Sequence, residues 1–239
     1  MNASMQSHST VHQATRPNQN ESYFVTRDRG PDHPDAIAKT HLRGGNYWPE
    51  NLPGFRQGVM ACFNALNALG QKLAPVFSVA LGMPADWLDP EFEDENNAKL
   101  RMLHYPPTRI EGNDFGTGPY TDNSFMTILA RDEVPGLAIR QPSGEWLEPP
   151  LIEGTFLVNI GNILRRISND RFLSTPHGVI VDGEVDRYSM AYFHSQNVHR
   201  TICVAPSCID ADHPAKYAPI PYVELIDEYS KANYFHQGG

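Results

Sequence analysis

Residues 118–129 read Gly-Pro-Tyr-Thr-Asp-Asn-Ser-Phe-Met-Thr-Ile-Leu, and kindred stretches follow at 172–179, Phe-Leu-Ser-Thr-Pro-His-Gly-Val, and 187–194, Arg-Tyr-Ser-Met-Ala-Tyr-Phe-His. Each is a short run of aliphatic, aromatic and β-branched residues bounded by Gly, Pro, Asn or Asp, the pattern of strands joined by turns. The expected strands are Leu100–Tyr105, Ser124–Ala130, Gly136–Arg140, Thr155–Ile160, Phe172–Val181 and Arg187–His194, with Pro142-Ser143-Gly144 and Asp182-Gly183 as turns. The predicted fold class is mainly β with flanking helices, built of antiparallel hairpins in a sandwich or jelly roll.

Before these strands the pattern changes. Met60, Phe63, Leu66, Leu69, Leu73, Phe77 and Leu81 recur at steps of three and four, which predicts an amphipathic helix over 57–81 packing on a sheet. Pro75 is expected to kink or split it. Asn162–Ile167 reads as a short helix between strands and Tyr222–Tyr234 as a final amphipathic one. Residues 1–20 are too polar to offset the entropy of ordering and read as a flexible arm. Residues 21–99 form a connector and a helical region packing on the barrel, with Pro and Gly crowding 27–55. Residues 100–206 form the β domain and 207–239 a C-terminal helical tail.

Composition narrows the function. Of 239 residues 40% are hydrophobic and 20% charged, as in an ordinary globular protein. A net charge of −9, with no basic stripe to offset it, argues against a nucleic-acid partner. No apolar run approaches the roughly 20 residues needed to span a bilayer, and the first residues lack a signal layout. A cytoplasmic protein is expected, with no membrane partner. Cys62, Cys203 and Cys208 are scattered and read as reduced thiols.

Asp122, His177 and Arg187 are the residues with chemistry to offer. A non-haem iron centre of the facial-triad kind uses two imidazoles and a carboxylate, leaving positions for a 2-oxo acid and oxygen. Asp122 and His177 can converge at one barrel mouth, and the planar fork of Arg187 suits a bidentate carboxylate. One expected imidazole is a phenol, Tyr120.

The stretches 118–129, Gly-Thr-Phe-Leu-Val-Asn-Ile-Gly-Asn-Ile-Leu at 154–164, Asp-Arg-Phe-Leu-Ser-Thr-Pro-His-Gly-Val at 170–179 and Asp-Arg-Tyr-Ser-Met-Ala-Tyr-Phe at 186–193 resemble the iron- and 2-oxoglutarate-dependent oxygenases related to isopenicillin N synthase. The resemblance runs from about Asn20 to Pro206, with several motifs in order. It implies a double-stranded β-helix, with Fe(II) as cofactor, 2-oxoglutarate as cosubstrate and a small organic molecule as substrate. Position by position, Asp122, His177 and Tyr120 would be the metal ligands. Arg187 and Ser189 would hold the distal carboxylate of 2-oxoglutarate, Tyr105 would add its hydroxyl, and Asn123 and Phe125 would face the substrate pocket.

Two departures qualify this. The family has His-x-Asp where this chain has Tyr120-Thr121-Asp122, and members carry a further N-terminal portion before the segment resembling Asn20 onward. A free phenol ionises near pH 10, so holding Tyr120 as phenolate at neutral pH costs about 4 kcal/mol before a metal offsets it. The alternatives are an impaired oxygenase, a non-catalytic pseudoenzyme or metabolite-binding module with the same fold, and a truncated gene product. His104 is a candidate to step in as the missing imidazole. An uncovered sheet edge leaves room for a homo-oligomer. Trp48, Trp87 and Trp146 are expected to be packing anchors, His194 a surface or core residue, and Asn159 and Gly161 parts of a strand-to-turn junction.

Overall fold

The computed structural model describes residues 18–93, 95–107, 116–181 and 183–233. Most of the expected polar arm therefore lies outside the described residues, as do Asp182 and the end of the last expected helix.

Nine strands carry the architecture: β1 (Glu21–Thr26), β2 (Lys99–Tyr105), β3 (Thr117–Tyr120), β4 (Met126–Arg131), β5 (Leu137–Arg140), β6 (Trp146–Leu147), β7 (Leu157–Ile160), β8 (His177–Val179) and β9 (Arg187–His194). They form two antiparallel sheets, ordered β1-β2-β9-β4-β7 and β3-β8-β5-β6. Because strand residues alternate between faces, each strand of the larger sheet serves two layers. Leu103, Tyr105 and Ala191 face the second sheet and pack with its Val179 and with Val181. Leu100, Ile128 and Tyr192 face the opposite way, onto Val59, Phe63 and Leu66 of a long helix. This is the expected jelly roll with helices outside.

The helices are α1 (Pro34–Ala38), α2 (Phe55–Ala80), α3 (Asp89–Phe92), α4 (Asn162–Ile167) and α5 (Tyr222–Asn233). Of the two expected effects of Pro75, a kink or a split, the split does not occur: α2 runs unbroken through it. A proline inside a helix costs about 3 kcal/mol, whereas burying Phe63 and Leu66 on the sheet contributes roughly 1.5–3 kcal/mol each. Gly70 sits where α2 crosses β9, and a Cβ there would meet the His194 ring at 2.5 Å. His194 is fully buried, stacked on Phe92 and contacted at Nδ1 by Asn96.

Several expected strands are shorter. The one read at 172–181 reduces to His177–Val179, because residues 172–176 approach β8 outside any strand ladder, with the Phe172 N–H turned to the Ser168 hydroxyl. β1 and β3 were not among the expected strands. β1 becomes a strand through its antiparallel register with all but the last residue of β2. β3 hides behind Gly118 and Pro119; it is an edge strand with an irregular register, where a proline is tolerated. Trp48 packs on Tyr23 and Phe55 as expected, but Trp146 is 37% exposed at the end of β5's hairpin and anchors no core.

Candidate metal and cosubstrate site

Asp122 lies in the turn after β3, and this turn is held by α4. The backbone N–H of Asn162 donates to the Asp122 carbonyl at 2.7 Å, that of Ile163 to Ser124 at 3.2 Å and that of Gly161 to Phe125 at 3.0 Å. The approach is so close that a Cβ on Gly161 would stand 1.8 Å from the Ser124 carbonyl oxygen. Only glycine fits.

The Asp122 carboxylate is buried and its two oxygens differ. Oδ2 accepts from the Thr127 hydroxyl at 2.7 Å and the Asn159 amide at 2.8 Å. Oδ1 is buried, accepts no hydrogen bond and lies 3.7 Å from Nε2 of His177. The His177 ring is oriented by its other nitrogen, Nδ1, which is 3.0 Å from the Thr175 carbonyl. A carbonyl can only accept, so Nδ1 carries a proton, and in the neutral ring it is Nε2 that presents its lone pair toward Asp122. The Asn159 amide is 3.5 Å from Nδ1, a marginal distance beside its firm bond to the carboxylate. A buried carboxylate oxygen facing an imidazole lone pair is an arrangement that a cation between them would satisfy.

Tyr120 stands opposite His177 in the β3–β8 ladder, their ring centroids 4.4 Å apart. The three residues expected to hold metal are thus brought together. Asn159 is the residue that sequence reasoning missed. It occupies an inner-facing position of β7, between hydrophobic neighbours, and a polar amide there was the available signal.

Arg187 opens β9 and is 1% exposed. Its guanidinium stacks 5.0 Å from the centre of the Tyr105 ring, while its Nε and one terminal nitrogen are buried without a hydrogen-bond partner. Ser189 lies two residues on, buried on the same face, and the Tyr105 hydroxyl is 3.2 Å from Thr117 Oγ1. Arg187 also borders a cavity of about 350 Å³, with Arg131, Leu137 and Glu148 among its walls. A buried guanidinium with idle donors fits a carboxylate ligand, as the Asp122–His177 pair fits a metal.

Other candidates are placed elsewhere. His104 points away from Asp122, on the outer face of β2, where it bonds Glu21 and Asp186 and stacks on Tyr188; it cannot replace the missing imidazole. Phe125 is fully buried against Phe77 and Phe92 beneath the helices rather than in a substrate pocket. Asn123 accepts from the Asn162 amide at 2.8 Å and so fastens the Asp122 turn. Among the described residues, His33, Asp35 and Glu95 form a group with metal-like spacing, but the Arg29 and Arg43 guanidiniums already neutralise its acids.

Residues 96–196 match the sequence model of the 2OG-Fe(II) oxygenase superfamily. The chain is 32% identical over 227 residues to the 2-oxoglutarate-Fe(II) type oxidoreductase hxnY of Emericella nidulans, covering 92% of this chain and 65% of that protein. It is 30% identical to homoarginine-6-hydroxylase 2-ODD-C23 of Glycine max, over 76% of this chain and 56% of that one. Among solved structures, a full-length Neurospora crassa protein in complex with alpha-KG superposes with a TM-score of 0.80 at 29% identity, covering 92% of this chain and 68% of the other. The chain spans under two thirds of the length of these two curated relatives.

Proposed function

We propose, from the premise that this chain belongs to the 2OG-Fe(II) oxygenase superfamily, that it is an Fe(II)- and 2-oxoglutarate-dependent oxygenase of a small organic substrate. The observation that carries the reading is the orphaned Oδ1 of Asp122, 3.7 Å from His177 Nε2, on the same barrel interior as the idle guanidinium of Arg187. Asp122 and His177 would hold the metal, with Tyr120 beside them. Arg187 would grip the distal carboxylate of 2-oxoglutarate as a fork, with Ser189 and Tyr105 lining that end. When bound, Fe(II) supplies the redox centre at which oxygen and 2-oxoglutarate are converted to succinate and carbon dioxide while the substrate is oxidised. The chain's own contribution is positional. Thr127 and Asn159 occupy one carboxylate oxygen and leave the other for metal, Thr175 fixes the imidazole tautomer, and Leu103, Val179 and Ala191 keep the interior dry.

A second reading has the same fold as a non-catalytic metabolite-binding module, and it is favoured by the phenol of Tyr120 opposite His177. Two measurements separate them. Calorimetry with Mn(II) on the wild type, Asp122→Asn and His177→Gln tests the metal site. Succinate release with Fe(II), 2-oxoglutarate and oxygen tests turnover. Metal uptake without succinate, even in Tyr120→His, would leave the binding module.

The three free cysteines support a reducing, cytoplasmic setting; among the described residues no helix is long and apolar enough to cross a membrane. Exposed Val158 on edge strand β7, with Leu151, Ile152 and Phe156 in the segment leading into it, supports a homo-oligomer, which light scattering would test.

A further inference from the structure

We infer that the substrate is an organic acid whose carboxylate is held by Lys99 and Arg101 on the inner face of β2, an inference that rests on the metal-site reading above. Both residues share the face of Leu103 and Tyr105, at steps of two along the strand, and that face looks onto the second sheet. Lys99 pairs with Phe193, Phe193 with Thr127 and Thr127 with Asn159. Lys99 therefore lies on the cross-strand row of the two residues that bond Asp122. Two strand spacings, about 10 Å, separate its backbone from that of Thr127, and a lysine side chain spans much of that gap.

Among the described residues these cations have no acidic counterpart. Strands β2, β4, β7 and β9 contain no Asp or Glu, and among the described residues Lys99 makes no ion pair. Burial lowers the pKa of its ammonium. Arg101 stacks on the Phe24 ring at 4.8 Å and reaches Ser22 at 3.3 Å, while its Nε is buried with no hydrogen-bond partner. Both residues are half-buried; a cationic side chain drawn partly out of water without an acidic partner is costly, and an anionic ligand removes that cost. Arg187, at the other end of the barrel interior, is taken by the cosubstrate in the reading above. Around Lys99 and Arg101 the inner face is apolar, with Phe193, Leu129 and Ala191. That lining suits a carbon body bearing one carboxylate better than a multiply charged phosphate.

The test uses the full chain with its lysines, Lys39, Lys72, Lys99, Lys216 and Lys231, reductively dimethylated with carbon-13, which keeps their charge. The Lys99 signal is assigned by its absence in Lys99→Arg. With Zn(II) and saturating 2-oxoglutarate, benzoate should shift that signal while benzamide and inorganic phosphate do not, and Arg101→Met should weaken benzoate binding about tenfold. Replacing Zn(II) by Mn(II) should broaden the Lys99 signal more than that of Lys72. Mn(II) uptake without Lys99 broadening, a Lys99 signal that benzoate leaves unmoved, or an equal response to benzamide or phosphate would overturn the inference. Failure of Mn(II) to bind at all would instead overturn the metal site on which it rests.

Discussion

The side-chain amide of Asn159 donates to Oδ2 of Asp122 at 2.8 Å, so a residue of β7 decides which oxygen of a distant carboxylate stays available. Asn159→Asp is isosteric and replaces that donor with a second carboxylate. Like charges at this distance cannot both ionise, so metal uptake must then expel a proton. Mn(II) affinity should fall about 10–100-fold and rise more steeply with pH than in the wild type. Calorimetry at two pH values checks both, and unchanged affinity would remove Asn159 from the site.

Gly161→Ala should cost more than an ordinary surface change, because its Cβ meets a backbone carbonyl rather than a movable side chain. Overpacking of this kind costs about 1–3 kcal/mol, and it pushes α4 off the turn bearing Asp122. A lowered denaturation midpoint together with weakened metal binding is expected. Gly183→Ala, where nothing lies within 4 Å, is the control and should be near neutral.

The contrast between Asn159 and Asp122 also shows what the sequence could disclose. The period of the apolar residues located α2 and most strands, since one buried face imposes one spacing. The motifs around Asp122, His177 and Arg187 named the residues that the barrel brings together. β1 was illegible because its strand character comes from a partner, β2, that lies more than seventy residues on, and β3 because Gly118 and Pro119 mask a strand that only an edge tolerates. Asn159 and Gly161 read as a junction, which they are; that the junction also clamps the acid depends on tertiary approach, which no local pattern encodes. Phe125 was misassigned for the same reason. Its neighbour Asp122 faces the site, but the turn carries Phe125 round to the helices.

Arg187→Lys keeps a charge and loses the fork. If the idle donors of Arg187 receive 2-oxoglutarate, its affinity should drop at least about tenfold, while Mn(II) binding by Asp122 and His177 stays within error. Equal loss of both would indicate a collapsed barrel rather than a lost contact, and circular dichroism separates the two.

Burial pushes the pKa of His194 down to about 3, because its ring sits against Gly70 and Phe92, out of water. In the unfolded chain it titrates near 6.5. The depressed folded value means that its neutral form contributes stability in full above about pH 6.5, a contribution lost as pH falls toward the folded value. The slope approaches about 1.4 kcal/mol per pH unit. Urea midpoints between these limits should show this dependence in the wild type and a shallower one in His194→Asn.

Tyr120 separates a working centre from a repurposed one. Its ring stands beside His177, but a phenol oxygen lies farther from the backbone than either imidazole nitrogen, and as a hard anion it favours Fe(III) over Fe(II). Tyr120→His restores two imidazoles and a carboxylate, and should raise Mn(II) affinity at least about tenfold. Tyr120→Phe discriminates the role of the oxygen itself. If the phenol is a ligand, this variant binds metal more weakly and lacks the visible absorption that Fe(III) gives with phenolate. If affinity and spectrum match the wild type, Tyr120 is only a wall of the site, and Asp122 and His177 hold the metal as a pair.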